Sequence, residues 1–179
     1  MTTLRAVQPT IDDDVHADLT DHPETAPEAL AICALIWLQD SDECVRIAAV
    51  LQADDFHDPA YRELYTVVQE LIDSSRPHDP ASVLAVLVRA GASGHRGARL
   101  RQALTDVTTA NACGASATDY AGMVLSESYR RSFFDAGIKI QQLAEEAPED
   151  CLFEQLVEIG RAQRAATNRL NAFRSGGVE

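Results

Sequence analysis

Apolar residues recur along most of this chain at the spacing of an α-helix. The clearest case is a run of positions separated by steps of three and four, which form one stripe on a helix and fit no β-strand. Those positions are Leu64, Val67, Val68, Leu71 and Ile72. Residues 28–38 are apolar on almost every side, as expected of a helix at the centre of a bundle. The pattern predicts an all-α fold.

Two Asp-Pro pairs mark the starts of predicted helices. Asp58-Pro59 and Asp79-Pro80 each offer an aspartate that can accept a hydrogen bond from a first-turn N–H. The proline that follows suits the first helical position, because the N–H that it lacks has no partner there. Gly91 is predicted to end the helix that begins at Pro80, since glycine adopts the left-handed cap conformation at little cost.

The middle of the chain has a weaker pattern. Residues 91–97 are predicted to form a loop and residues 98–105 a short helix. Residues 108–118 are rich in Thr, Ala, Asn, Gly and Ser, and they are too weakly apolar to be expected in the core.

The last third of the chain predicts a long antiparallel helical hairpin. Residues 118–146 contain no helix breaker except Gly122 and Gly137, and about 29 residues at about 1.5 Å each make a rod of about 40 Å. Pro148 marks a turn, after which apolar steps of four and three continue to Phe173. Such a repeating seam favours two helices that pack at a shallow angle.

The predicted organisation is therefore one domain with an appended arm and tail. Residues 1–22 lack apolar periodicity and are predicted to be a disordered acidic arm. Residues 23–117 are predicted to form a bundle of about five helices. Residues 118–173 are predicted to form the hairpin of the same domain, and we expect this hairpin to be a dimerisation element. Residues 174–179 are predicted to be a flexible tail.

Charge limits the kind of partner. The formal net charge is −13, and residues 1–29 alone carry seven acidic residues and one basic residue. A negative field of this size repels phosphate backbones, so direct nucleic-acid binding is not expected. At 179 residues with 46% hydrophobic content, the chain can fold without a disulfide or a metal ion.

Candidate chemistry is sparse. The four cysteines lack Cys-x-x-Cys spacing and histidines at zinc-ligand spacing, and we interpret them as buried thiols. They are Cys33, Cys44, Cys113 and Cys151. His57 and His78 lie beside aspartates in turns, where hydrogen-bonded capping is a better interpretation than general-base catalysis. Asp54, Asp55 and Asp58 lack the glycine and terminal glutamate of a calcium loop. We predict no catalytic residue, cofactor, metal site or small-molecule substrate.

Two further features could indicate other classes of protein. Trp37, Phe133 and Phe134 could stack on nucleic-acid bases, but their places in helical patterns favour core or interface positions. The longest apolar run, residues 29–38, is shorter than the ~20 residues of a membrane span, and it lacks the basic leader and small-residue cleavage site of a signal peptide. We therefore expect no membrane association and a cytoplasmic location.

The order of these segments resembles the N-terminal domain of replicative DnaB-type helicases. Residues 53–62, Ala-Asp-Asp-Phe-His-Asp-Pro-Ala-Tyr-Arg, carry the strongest similarity, which extends more weakly over residues 28–173. The residues that match the family pattern and are expected to have structural roles are Asp54, Asp55, Phe56, Asp58, Pro59, Asp79 and Asn111.

The chain departs from that family at several positions. Cys33 stands where the family usually has glycine, and His78 replaces the isoleucine of its Pro-Ile-Asp motif. The usual Gly-Gly is reduced to Gly97, and Leu100 stands near the place of an aromatic residue. These changes predict a divergent member.

The sequence also lacks the ATP-binding loop of the family's motor. A Gly-x-x-x-x-Gly-Lys-Ser/Thr string cradles ATP phosphates in such motors, and none occurs here, where the sole lysine is Lys139. We therefore expect a stand-alone member without helicase or ATPase activity.

The resemblance implies a non-catalytic interaction and oligomerisation module related to DNA replication. In the family this domain pairs through its hairpin, helps to order the hexamer collar and contacts primase. We accordingly expect a homodimer, with the replicative helicase or primase as candidate partners. The expected hairpin or dimer contacts are Phe133, Phe134, Leu152, Leu156, Ile159, Leu170 and Phe173.

The alternative is a regulatory or nucleic-acid-binding protein that reuses the fold outside replication. Its contact surface would consist of arginines in the middle of the chain together with those near the C-terminus. The central ones are Arg89, Arg96, Arg99 and Arg101.

Overall fold

The computed structural model describes residues 26–91 and 94–176. The predicted arm and the last three residues of the predicted tail lie outside the described residues. Five helices form a bundle: α1 (Pro27–Trp37), α2 (Ser41–Val50), α3 (Pro59–Asp73), α4 (Pro80–Arg89) and α5 (Gly94–Thr109). Two long helices follow, α6 (Ala117–Glu146) and α7 (Glu149–Arg174), and single 3-10 turns occur at Ala53–Asp55 and Gly114–Ser116. The all-α prediction is confirmed.

Helix α1 lies at the centre of the bundle. It contacts α3, α5 and α6, and its residues from Ala29 to Ile36 are buried except for Leu30, which is partly buried against the core. The prediction of a helix apolar on almost every side is explained by this central position. Trp37, at the end of α1, is half-exposed, so it lies at the edge of the core.

Aspartates cap the helices that follow. Asp40 accepts hydrogen bonds from the N–H groups of Asp42 and Glu43 at the start of α2. Asp58 accepts from the N–H of Ala60, and Asp79 caps α4 in the same way. Both predicted Asp-Pro starts are therefore confirmed, because each satisfies an N–H that has no partner within its helix.

The middle of the chain differs from the prediction. Helix α5 starts at Gly94 and not at residue 98, and it runs to Thr109, so it is twice the predicted length. Ala110 and Ala117 are buried, although residues 108–118 were predicted to lie outside the core. Small side chains allow this segment to approach α1 closely. A Cβ atom at Gly114 would lie 3.1 Å from the carbonyl oxygen of Trp37.

The hairpin is antiparallel, with 30 residues in α6 and 26 in α7. Its base packs on the bundle, where Val124, Leu125 and Leu170 are buried in the shared core. Its distal half extends away from the bundle, and most of its residues there are exposed or half-buried.

The interpretation of all four cysteines as buried is wrong for Cys113, which is exposed beside the close turn at Gly114. Cys151 is half-buried, whereas Cys33 and Cys44 are buried. Burial raises the pKa of both buried thiols, so they remain protonated and unreactive at neutral pH. Of the helices that the structure describes, none is long and apolar enough to cross a membrane.

Candidate interaction surface of the helical hairpin

A polar seam sets the register of the two hairpin helices. The hydroxyl of Ser132 donates to the side-chain oxygen of Gln163 at 3.0 Å, and the Gln163 amide donates to the Ser132 carbonyl at 2.8 Å. Three residues earlier on α6, the hydroxyls of Tyr129 and Thr167 are 3.1 Å apart. These directional contacts fix which residues of α6 lie opposite which residues of α7.

One side of the hairpin is apolar and lined by small residues. On each helix the residues concerned are separated by steps of three and four, so they lie on one flank of that helix. They are Phe133, Gly137, Ile140 and Ala144 on α6 and Phe153, Leu156 and Gly160 on α7. We call these seven residues the apolar face.

The opposite side of the hairpin has a groove of mixed character. Leu143 and Ile159 line it together with four polar or charged residues, Lys139 and Gln142 of α6 and Gln155 and Glu158 of α7. These four residues occupy one flank of each helix, and the apolar face occupies the other flank of each. The two apolar flanks therefore lie on the same side of the hairpin.

The large side chains of the apolar face are open to solvent. Phe153 is 73% exposed and Phe133 is 49% exposed, and Leu156 and Ile140 are exposed as well. Apart from the neighbouring residues and the backbone of the same helix, no heavy atom lies within 4 Å of a Cβ atom placed on Gly137 or Gly160. Contiguous exposed apolar surface on a rigid element marks an interaction site in soluble proteins.

A second apolar strip runs along α6. Phe134, which is 71% exposed, and Ile138 are one turn apart, and they lie about 100° round the helix from Phe133 and Gly137. This strip faces away from α7. Phe134, predicted as an interface residue, therefore lies beside the apolar face and outside it.

The other predicted interface residues lie in different environments. Leu152 and Ile159 are half-buried along the hairpin. Leu170 is buried in the core, and Phe173 packs against the core and lies 3.3 Å from a Cβ position at Gly122. Leu170 and Phe173 thus contact the base of the hairpin and the bundle, whereas Phe133 and Leu156 are available to a partner.

Charge is distributed unevenly along the hairpin. Acidic side chains dominate its tip, and basic ones dominate the half that packs on the bundle. The tip carries Glu145, Glu146, Glu149, Asp150 and Glu154, and the base carries Arg130, Arg131, Arg164, Arg169 and Arg174. This clustering could not be predicted from the sequence, because the pattern within one helix does not show which charges of two antiparallel helices lie together.

The base of the hairpin is held to the bundle by a buried acid. Asp55 is 2% exposed, and its carboxylate accepts hydrogen bonds from the Ser128 hydroxyl at 2.7 Å and from the guanidinium of Arg169. Its backbone carbonyl accepts from Arg131. One residue of the bundle therefore contacts both hairpin helices, which fixes the angle at which the hairpin leaves the bundle.

Glu28 is a second acid in this contact, and its role was not predicted from the sequence. Its carboxylate accepts hydrogen bonds from the backbone N–H groups of His57 and Asp58, and it lies 4.0 Å from Arg131. The sequence feature that could have identified Glu28 is the presence of an acidic residue within the most apolar helix of the chain. His57 therefore contributes its backbone N–H to this contact. The helix-capping role that was predicted for its side chain belongs to the side chain of Asp58.

Two other residues of the family pattern, Phe56 and Asp54, lie in the turn that precedes α3. Phe56 is fully buried and stacks on Tyr65 with ring centroids 4.6 Å apart. The Tyr65 hydroxyl donates to the Leu51 carbonyl at 2.9 Å. Asp54 is exposed and 3.9 Å from Arg62.

Two signature residues lie elsewhere. Asp79 caps α4, and Asn111 adopts a left-handed conformation with φ of 57° in the segment that packs on α1. His78 lies next to Asp79, and its ring nitrogen is 3.6 Å from the sulfur of Cys44.

Metal ligands do not converge in the described part of the chain. No group of three or more His, Cys, Asp or Glu side chains is placed there to hold a metal ion. The arrangement of the hairpin suits protein contact, since it combines exposed aromatic rings, small residues and segregated charge.

Comparisons with known proteins agree with this architecture. The chain is similar to the crystal structure of the N-terminal domain of DnaB helicase from Mycobacterium tuberculosis, with a TM-score of 0.61 and 22% sequence identity. The match covers 79% of this chain and 96% of that chain, and at this identity it shows the fold. A comparison with curated proteins gives no match. The family model described as DnaB-like helicase N-terminal domain matches residues 26–126, more than half of the chain. The chain therefore belongs to the family of DnaB-like helicase N-terminal domains.

Proposed function

We propose that this chain is a non-catalytic protein–protein interaction module of DNA replication that self-associates through the apolar face of its hairpin. The observation that carries the proposal is the exposure of Phe133 and Phe153 on one side of a rigid pair of helices. Burying such a surface against a second copy in a symmetric dimer is the commonest arrangement among soluble oligomers.

The family supplies the candidate partners. The resemblance implies pairing of such domains in a helicase collar and contact with primase, so we propose the replicative helicase or primase of the same cell as the further partner. The contact between Asp55 and both hairpin helices supports this function, because it holds the apolar face at a constant angle to the bundle. We place the protein in the cytoplasm, where replication takes place.

The nucleic-acid-binding alternative has less support. Two of its candidate arginines are engaged in ion pairs within the bundle: Arg96 with Glu63, and Arg99 with Asp58. The net charge of −13 opposes the approach of a phosphate backbone. We therefore retain the interaction module as the proposed function.

Sedimentation velocity tests the proposal directly. We expect the purified protein to sediment as a dimer, and the substitution Phe153→Glu to yield a monomer with unchanged helical content. Ala162→Glu, an exposed position on another flank of α7, is the matched control and should remain dimeric.

The same experiment with helicase or primase added tests the partner. Co-sedimentation with either protein supports the replication role. A wild-type protein that is monomeric at concentrations of about 100 μM and binds neither protein would contradict the proposed function.

A further inference from the structure

A small apolar cavity lies where the end of α7 meets α2 and the start of α6. Its volume is about 190 Å³, and Ile47 and Val50 of α2 and Phe173 of α7 form its apolar wall. Ile47 is buried, whereas Val50 and Phe173 are only partly buried against the core. The cavity is therefore an open edge of the core, where apolar surface remains uncovered by the described residues.

The chain leaves α7 at the rim of this cavity. Gly176 lines the cavity and has a φ of 68°, which is the left-handed conformation. The N–H of Ser175 donates to the Asn171 carbonyl at 3.0 Å, and the N–H of Gly176 donates to the Phe173 carbonyl at 3.2 Å. A cap of this kind ends a helix and turns the following residues away from its axis. The next residues therefore begin beside the cavity.

The chemistry of those next residues matches the cavity. Residues 177–179, which lie outside the described residues, are Gly-Val-Glu. Val178 is two residues beyond Gly176, so its Cα lies within about 7 Å of the Cα of Gly176. Since a cavity of about 150 Å³ admits a six-carbon ring, this one has room for the three-carbon side chain of valine.

Charge at the rim suits the residue after Val178. Arg46 lines the cavity, and its side chain is 64% exposed. Its contact with Glu43 is loose, at 3.7 Å, and the Glu43 carboxylate also accepts a hydrogen bond from the Thr118 hydroxyl at 2.6 Å. The guanidinium of Arg46 therefore has donors for a second acid, such as Glu179. An exposed ion pair contributes little to binding, so the apolar contact carries most of the affinity.

We propose that Val178 binds in this cavity with Glu179 beside Arg46, so that the segment after α7 fastens the hairpin to α2. Arg169 already joins α7 to the turn before α3 through Asp55. The bound segment adds a second attachment between α7 and the bundle, nearer the end of the helix. This inference concerns contacts within one chain and does not depend on self-association.

Methyl NMR of the full chain tests the contact. We expect the Val178 methyl signals to be shifted upfield of their random-coil positions by the ring of Phe173, and to show nuclear Overhauser contacts with Ile47 or Val50. The substitution Val178→Ala identifies these signals by their loss. Val178 methyl groups at random-coil positions, without a contact to α2, would overturn the inference.

Filling the cavity from α2 tests the binding site. Ala49 lines the cavity and is exposed, so Ala49→Phe should displace Val178 and return its methyl signals to random-coil positions. Val45→Phe is the matched control, since Val45 is a half-exposed residue of the same helix that does not line the cavity. Signals of Val178 that are unaffected by Ala49→Phe would show that its side chain binds elsewhere.

Hydrogen exchange tests the attachment of the helix end. Val178→Asp should accelerate exchange of the last-turn amides of α7, at Phe173 and Arg174, by about tenfold, because burial of a valine side chain favours the closed state by roughly that factor or more. Val178→Ile keeps an aliphatic side chain and should retain the wild-type rates. Equal rates in wild type and Val178→Asp would contradict the attachment.

Dilution separates this inference from the proposed function. Val178 methyl shifts that do not change with protein concentration support binding within one chain. Shifts that return to random-coil positions on dilution would assign the cavity to the segment of a second copy and overturn the inference. A monomer with bound Val178 contradicts only the proposed self-association, and a dimer with free Val178 contradicts only this inference.

Discussion

At the scale of single residues, the turn before α3 concentrates the family signature because several packing constraints meet there. Phe56 fills the core against Tyr65, while Asp55, one residue earlier, points to the hairpin. A 3-10 turn at Ala53–Asp55 places the two side chains in these different directions. The sequence motif identified the turn, but helical periodicity could not assign a partner to either side chain.

Phe56→Ala should lower the free energy of unfolding by about 3–5 kcal/mol, because it removes a fully buried ring and leaves a cavity. Urea unfolding followed by circular dichroism measures this change. Phe134→Ala is the matched control, since its ring is exposed and its loss should change stability by less than about 0.5 kcal/mol. Equal losses in the two variants would contradict the burial of Phe56.

Asp79 should make stability depend on pH in the acid range. Hydrogen bonds from the Ser82 hydroxyl and from N–H groups of the first turn of α4 hold the pKa of the Asp79 carboxyl below its ordinary value. Its contribution is therefore complete above the unfolded-state pKa and is lost as pH falls through the folded-state value.

The ordinary pKa of a carboxyl group is about 4. We therefore expect the Asp79→Asn variant to lose less stability than the wild type when the pH falls from 5 to 3. Urea midpoints at several pH values measure the difference. Asn keeps an oxygen that can cap α4, so helical content at neutral pH should be retained. Identical pH profiles would show that the cap does not depend on charge.

At the scale of elements, the contact between bundle and hairpin depends on charges that are far apart in the sequence. Asp55 meets Arg169 of α7 and Arg131 of α6, and Glu28 of α1 joins the same cluster. These groups are partly or wholly removed from water, so each requires its partner. The angle of the hairpin is thus set by this cluster together with the buried contacts of Val124 and Leu170.

Replacing Asp55 tests this contact. Asp55→Ala should destabilise the protein by about 3 kcal/mol, because it leaves Arg169 and the Ser128 hydroxyl without their buried acceptor. Asp55→Asn retains an oxygen for Ser128 and should cost less. Chemical denaturation gives the stability, and hydrogen exchange should show faster exchange at the base of α6 and α7 than in α3. Uniform acceleration in all helices would contradict a local contact.

At the scale of the whole molecule, net charge limits which surfaces can meet. The chain carries −13 overall, yet the base of the hairpin is locally basic. An acidic surface is a suitable partner for that base, whereas a phosphate backbone must also approach the rest of the acidic molecule.

We therefore expect duplex DNA to bind with a dissociation constant weaker than about 10⁻⁴ M at physiological salt. Fluorescence anisotropy of a labelled duplex at several salt concentrations measures this affinity. Micromolar binding that falls steeply with salt would contradict the prediction and favour the alternative function.

The parts of the fold that could be predicted are those controlled by neighbouring residues. Asp58-Pro59 and Asp79-Pro80 start helices wherever they lie in the fold, because the cap acts within one turn. The stripe of α3 was equally predictable from spacing alone. The start and length of helix α5 were not, since Gly94 and Gly97 lower the intrinsic helix propensity and packing of Leu100 and Leu104 compensates for it.

The sequence by itself determined that this protein is helical and where most of its helices begin. It also determined that two long helices end the described chain. These properties depend on spacing and capping within a few residues. Only the tertiary structure decided that Asp55 joins both hairpin helices and that Ala110 and Ala117 belong to the core. It alone also decided that the apolar flanks of α6 and α7 share one side of the hairpin. Such relations depend on the register between distant segments, which hydrogen bonds such as that between Ser132 and Gln163 establish only in the folded chain.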